Sequence, residues 1–381
     1  MEAVPPSLFD RRVHRVREDC RLDGLDGLLV THLANIRYLT GLSGTAGAVV
    51  ITPARCVLIA DFRYATAARA LIAARAAGAI ELEVPERGYD DAIVSVVRGL
   101  DCVRVGVEGA WLPVSRFNAL SSSLGSAAGP NDRGAARGVA LIPTERVVEA
   151  GRLIKDASEI ALLREAGRRL SAVGRQVPTF VRAGRAERAI AGDIDSAIRA
   201  AGFERPAFET IVASGPNGAH PHARPGDRTL RAGDGVVLDF GGVYDGYCVD
   251  LTRTLYVGVP DPALARLGSA VRQAHAAAVA AVRPGVRPSQ IDAAARDVLI
   301  GYGLGEAFGH GTGHGLGLEV HEDPRIAKLP SALPDTPVAP GMVFTIEPGA
   351  YVEGLGGVRI EDDVLVVDGG CDVLTDVPID M

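Results

Sequence analysis

The sequence predicts an α+β protein in two parts: a smaller N-terminal α/β domain and a larger C-terminal domain made of two similar halves. Three observations lead there. Apolar, β-rich runs alternate with helical patterns early in the chain. A stretch rich in Ser, Gly and Ala then breaks the pattern. Beyond it, a helix pair followed by a strand pair occurs twice.

At 381 residues the chain has room for two or three domains of about 150 residues. Hydrophobic residues make up 47% and charged residues 23%, enough apolar material for a sizeable core, which excludes a disordered chain. The net charge of −7 argues against nucleic acid as a partner. No apolar run reaches the length of about 18 residues that a membrane span needs. The charged segment 1–20 has no apolar signal-peptide core. A cytoplasmic protein with no membrane contact is therefore expected. The five cysteines are far apart and include no CxxC, so neither a disulfide framework nor a thiolate zinc site is expected. Lys155 and Lys328 are the only lysines; every other cation is Arg, scattered without a basic block.

In the first part, strand-like runs fall at 27–31, 46–52, 56–60, 80–84 and 102–107, and helical patterns at 64–77, 89–100 and 113–124. These predict an α/β layer with a mixed sheet. Residues 121–138 include the breaker cluster Gly129-Pro130-Asn131-Asp132. The linker is expected near 125–150, between domains at 1–140 and 150–381.

The second part opens with a helix start signal. Asp156 and Glu159 are spaced as a capping box, and Ile160, Leu163, Ala166, Leu170 and Val173 follow at helical spacing. A second helix carries Ile190, Ile194 and Ile198 and stops at Gly202. Strand-like segments at 208–213 and 235–257 come next. The order repeats with helices at 262–282 and 289–302 and strands at 343–350 and 357–367. The strings around Asp239 and Glu347 superpose, each acid two residues before a Gly. Their offset of roughly 110 residues is too long for a solenoid, so a fused two-half fold with its site between the halves is expected.

Each half carries a second acid. Asp250 follows Asp239 across the turn signal Tyr244-Asp245-Gly246, and Glu361 follows Glu347 with Gly354 at the midpoint. A turn centred between Tyr244 and Asp245 would place the first pair directly opposite; one residue more or less makes the two acids diagonal. Four converging carboxylates cannot all stay ionised without a compensating cation. Two divalent cations would supply it. The histidines agree: His220 and His222 lie close together, as do His310, His314 and His321. The glycines around the second group argue against a helix, and HExxH is absent.

These residues resemble the pita-bread metallopeptidases, in the branch of Xaa-Pro aminopeptidase (aminopeptidase P) and prolidase (Xaa-Pro dipeptidase). The resemblance rests on Leu238 to Gly242 with Gly246 to Thr254, His310 to Pro324, Thr345 to Gly349 and Val358 to Asp363. Asn35 to Gly41 and Asp61 to Tyr64 are similar to the creatinase-type N-terminal domain. That domain argues against methionine aminopeptidases, and the intact ligand positions argue against a creatinase-like C–N hydrolase or a non-catalytic peptide-binding relative.

The resemblance implies a metal set of Asp239, Asp250, His314, Glu347 and Glu361. Asp250 and Glu361 would bridge the two ions. Mn(II) suits this set, with Co(II) or Zn(II) as substitutes. It further implies that Glu347 shuttles a proton and that His321 donates to the substrate carbonyl. His222 and His310 would line the proline side, and Arg359 would orient Glu361. The implied substrates are proline-containing peptides, whose scissile tertiary amide lacks an N–H. The reading is an Xaa-Pro aminopeptidase, with an Xaa-Pro dipeptidase as the alternative, working as a homodimer.

Overall fold

A computed structural model describes residues 6–74, 80–125, 138–328, 330 and 334–379. The chain divides into two compact units, Met1–Arg152 and Leu153–Met381. Among the described residues no helix is long and apolar enough to cross a membrane.

The first unit is built on six strands: β1 (Gly27–Val30), β2 (Ala48–Ile51), β3 (Cys56–Ile59), β4 (Glu81–Glu83), β5 (Arg104–Glu108) and β6 (Ala140–Thr144). Their order is β4-β3-β2-β1-β5-β6. Strand β2 runs antiparallel to both neighbours while β1, β5 and β6 run parallel, so the sheet is mixed. The helices Phe62–Ala73, Tyr89–Arg98 and Val114–Gly125 follow the expected patterns. The breaker cluster at 129–132 lies outside the described residues. Residues 140–144, expected in the linker, instead pair with β5, because Leu141 is apolar and buried against the sheet's core.

The second unit contains the two halves. Helix α1 (Ala157–Gly174) begins at Asp156, whose side chain accepts from Glu159 N while the Glu159 carboxylate accepts from Asp156 N. This capping box satisfies two orphan donors of the first turn. With α2 (Glu187–Ala200), it buries Leu163, Leu170, Ile190, Ile194 and Ile198 against Leu238, Phe240, Val249 and Leu251. Those last four belong to β7 (Gly235–Tyr244) and β8 (Tyr247–Tyr256). Strands alternate faces, so turning Leu238 and Phe240 to this core aims Asp239 the other way. The same holds for Val249 and Leu251 about Asp250.

The second half repeats the plan. Helices α3 (Pro262–Ala281) and α4 (Pro288–Gly301) bury Leu267, Val271, Ala274, Ile291, Ala295 and Leu299 against Phe344, Ile346, Val358 and Val364. The strands are β9 (Gly313–Gly315), β10 (Glu322–Ile326), β11 (Val343–Ile346), β12 (Gly349–Val352), β13 (Gly356–Arg359), β14 (Asp362–Val367) and β15 (Gly370–Val373). Fully burying one such aliphatic side chain contributes about 1.5–3 kcal/mol, so each helix pair is held mainly by its apolar stripe.

Candidate metal centre

The two hairpins present their acids in different registers. In the first, Tyr244 pairs with Tyr247, leaving Asp245 and Gly246 as a two-residue turn with φ of 45° and 73°. Positive φ at both positions matches the twist of the flanking strands. The turn centre lies one residue later than direct opposition of the acids requires. Asp239 therefore faces Thr252, and Asp250 faces Gly241; the carboxylates are diagonal neighbours. In the second hairpin, β11 with β14 and β12 with β13 are both symmetric about Gly354, from Val343↔Leu365 to Val352↔Gly356. Glu347 and Glu361 fall opposite each other in that register, in the gap between the two ladders at Pro348.

His314 comes from β9, in the Gly-rich segment. A Cβ on Gly313 would meet Thr345 O at 1.9 Å, and one on Gly315 would meet Asp323 O at 2.0 Å. The glycines let three backbones approach closely around the imidazole.

Donor atoms of Asp250, His314 and Glu361 lie within 4.8 Å of one another. His314 Nε2 is 3.5 Å from Glu347 Oε1. His314 Nδ1 lies 3.1 Å from Gly315 O, so its proton belongs there and Nε2 is left as a lone-pair donor. Asp239 Oδ2 accepts from Arg359 Nη2 at 2.5 Å, while its buried Oδ1 has no hydrogen-bond partner. Glu361 Oε2 accepts from Thr252 Oγ1 at 2.6 Å.

The electrostatics describe an acidic cluster that the single guanidinium of Arg359 only partly compensates. Burial pushes Asp250 well above the usual carboxylate range, and Glu361, Asp239, Asp363 and Glu347 add to the push. Burial does the same to Glu361, reinforced by Glu347 and Asp239. It raises Glu347 to about 7. Burial lowers His314 to about 4, helped by His321, so its imidazole is neutral at neutral pH. Buried oxygens with raised proton affinity, an orphaned Asp239 Oδ1 and a neutral imidazole together suit hard divalent cations.

The geometry makes three expectations more specific. Arg359 holds Asp239 directly and reaches Glu361 through Thr252, whose Oγ1 accepts from Arg359 Nε at 3.2 Å and donates to Glu361 Oε2. The reason is reach: β13 ends at Arg359, and its fork spans to the first hairpin. His310 does not offer a free nitrogen to a substrate. Its Nδ1 lies 2.8 Å from Gly311 O and its Nε2 3.0 Å from the Tyr351 hydroxyl, which also accepts from Arg359 Nη1 at 2.8 Å. Finally, the acids of the first hairpin take the diagonal one of the two arrangements that the turn signal left open. His321 stacks at an angle beside His314, ring centroids 4.2 Å apart. His222 is exposed, yet near enough to help lower both His310 and His321.

Sequence reasoning missed Thr252, Tyr351, Thr345 and Asp363. Thr252 shares a strand face with Asp250, so alternation alone would have found it. Tyr351 is diagonal to Arg359 across β12 and β13. Thr345 Oγ1 accepts from His314 N at 3.1 Å, and Asp363 Oδ2 accepts from Asp250 N at 3.0 Å. Only the pairing of distant strands reveals those two.

The chain matches metallopeptidase family M24 over residues 161–368 and the creatinase/prolidase N-terminal domain over residues 12–154. It belongs to metallopeptidase family M24 and is a metallopeptidase, with a creatinase-type N-terminal domain before a pita-bread domain. The family implies divalent metal ions. An Xaa-Pro dipeptidase from Bacillus anthracis superposes with a TM-score of 0.89 at 35% identity, covering 98% of this chain and 99% of that one. The Xaa-Pro dipeptidase of Pyrococcus horikoshii is 30% identical, covering 97% of each chain. The X-Pro aminopeptidase of Thermotoga maritima superposes with a TM-score of 0.84 at 32% identity, covering 97% of this chain and 98% of that one.

Proposed function

We propose that this protein is an Xaa-Pro dipeptidase with a dinuclear metal centre. The observation that carries the reading is the convergence of Asp250, His314 and Glu361 donors within 4.8 Å, beside the orphaned Asp239 Oδ1. The likeness to two Xaa-Pro dipeptidases over nearly the whole chain favours the dipeptidase over the aminopeptidase expected from the sequence. The likeness to the T. maritima X-Pro aminopeptidase supports the second reading.

Asp239, Asp250, His314, Glu347 and Glu361 would hold the cations, and the oxygen-rich set suits Mn(II). Bound there, divalent cations supply Lewis-acid activation of water and of the scissile carbonyl. Arg359, braced by the Tyr351 hydroxyl, keeps Asp239 oriented. Glu347, whose Oε1 lies 3.5 Å from His314 Nε2, would carry a proton to the departing prolyl nitrogen. His321, whose pKa burial lowers, presents a neutral ring that can donate to the carbonyl oxygen where negative charge develops. His222, which is exposed, would line the proline side.

The test compares Ala-Pro with Ala-Pro-Ala on one metal-loaded preparation. Faster release of alanine from the dipeptide supports the reading. Equal or faster turnover of the tripeptide replaces it with the aminopeptidase.

A further inference from the structure

Lysine is rare in this chain: of 40 basic residues only Lys155 and Lys328 are lysines. Lys155 is buried, its side chain 1% exposed. Its Nζ lies 3.4 Å from Glu322 Oε2, on a side chain 7% exposed. A compact ammonium with three donors suits such a site, where five guanidinium donors would each need a partner.

The surroundings fix both ends of the pair. Lys155 N donates to Gly341 O at 2.8 Å, and the next residue, Asp156, caps α1. Glu322 Oε1 accepts from Glu319 N at 2.9 Å, and Gly317 N donates to Glu319 O at 3.0 Å. A Cβ on Gly317 would meet Glu322 Oε1 at 2.9 Å, so this glycine leaves room for the carboxylate. The β9–β10 ladder shifts register at this point. His314 pairs with Arg325, but Gly315 pairs with Glu322, leaving Asp323 and Pro324 as a bulge. The shift sets Glu322 opposite Gly315 and brings His321, its neighbour, to 4.2 Å from the His314 ring.

We propose that Lys155 is a positioning residue: its buried pairing with Glu322 anchors the turn 317–322, next to the bulge, and so sets where His321 stands beside the metal ligands. The proposal rests on the reading of His321 as the group that meets the substrate carbonyl. Without the ammonium, Glu322 is a buried carboxylate with one charge partner fewer. The turn relaxes toward water, and His321 moves with it. His314 does not, because Thr345 and the β9–β11 pairing hold it from the other side.

The test uses full-length, metal-reconstituted protein and the variants K155M, E322Q, H321A and K155M/H321A. K155M is expected to keep the wild-type metal content and to lose about ten- to hundredfold in kcat/KM on Ala-Pro, as a displaced catalytic contact does. In the H321A background the same substitution should change kcat/KM by less than about twofold, because its route to catalysis is already gone. Equal losses in both backgrounds, or a loss of metal that accounts for the lost activity, overturn the proposal. E322Q is measured in the same way and decides the matter if K155M does not fold. A second readout needs no substrate. In histidine-labelled, zinc-loaded protein, the NMR signals absent from H321A identify His321. K155M and E322Q should shift those signals while leaving His14 in place; unmoved His321 signals overturn the proposal. If the wild type cleaves no Xaa-Pro peptide, the substrate reading fails and the NMR result alone judges the pair.

Discussion

Arg359 Nη2 donates to Asp239 Oδ2 at 2.5 Å, joining the second hairpin to the first across 120 residues of sequence. The same guanidinium donates to the Tyr351 hydroxyl and to Thr252 Oγ1. One planar fork thus orients one carboxylate directly and Glu361 through a threonine.

R359K should therefore lower metal affinity or activity by about 10- to 100-fold, since a single ammonium nitrogen cannot reach the three partners that Nε, Nη1 and Nη2 meet separately. Metal titration and kcat together check this. Wild-type values for both would mean that the fork is only structural.

H314A and D250A should abolish activity by losing metal. H321A should lower kcat while the metal stays bound, because its contact forms at the transition state. Metal analysis of each purified variant checks the division. A metal-free H321A would show that His321 is a ligand or holds one.

The metal-stripped protein should lose stability as pH rises from about 6.5 to 8. The sign follows from Glu347, whose folded pKa of about 7 lies above the unfolded carboxylate value. Such a group stabilises most at low pH, and its contribution fades as pH rises through the folded pKa. Asp250 and Glu361 are raised in the same direction. His314, lowered to about 4, works the other way, but only below its unfolded value of about 6.5, which is why the window starts there. Metal loading should remove the fall. Thermal melts with and without metal check it, and a flat profile for the stripped protein would mean that the acids do not converge.

G313A should destabilise the fold by about 1–3 kcal/mol or more and cost activity, because its Cβ would meet Thr345 O at 1.9 Å. Backbone has no rotamer to yield, and the displaced strand carries His314. Denaturant melts and metal content check this; a neutral change would mean that the strands are not so close.

Proline after the scissile bond should help through apolar contact alone. One small apolar group discriminates by roughly 10- to 200-fold, so Ala-Ala should be a poor substrate rather than an inert one. Acetyl-Ala-Pro should be worse, since it loses the amine's attraction to the carboxylates and adds bulk. Equal kcat/KM for Ala-Pro and its acetylated form would rule out an exopeptidase.

Much of this was readable along the chain. The Asp156 capping box, the isoleucine stripe of α2, the Asp245-Gly246 turn and the Gly354 centre are local signals, each set by residues within one turn or one hairpin. Alternation about Leu238, Phe240, Val249 and Leu251 settles which face Asp239 and Asp250 must take. Other features needed the tertiary structure. Arg359 reaches Asp239, and Lys155 reaches Glu322 across 167 residues. Ala140–Thr144 becomes a strand only because β5 offers it an edge, and His310 turns both nitrogens to protein only because Tyr351 stands opposite. The division follows from range. Backbone periodicity and turn chemistry act over a few neighbours and leave a mark in the local pattern. A long side chain selects its partner from whatever the packed core brings within hydrogen-bond reach, and no local pattern encodes that.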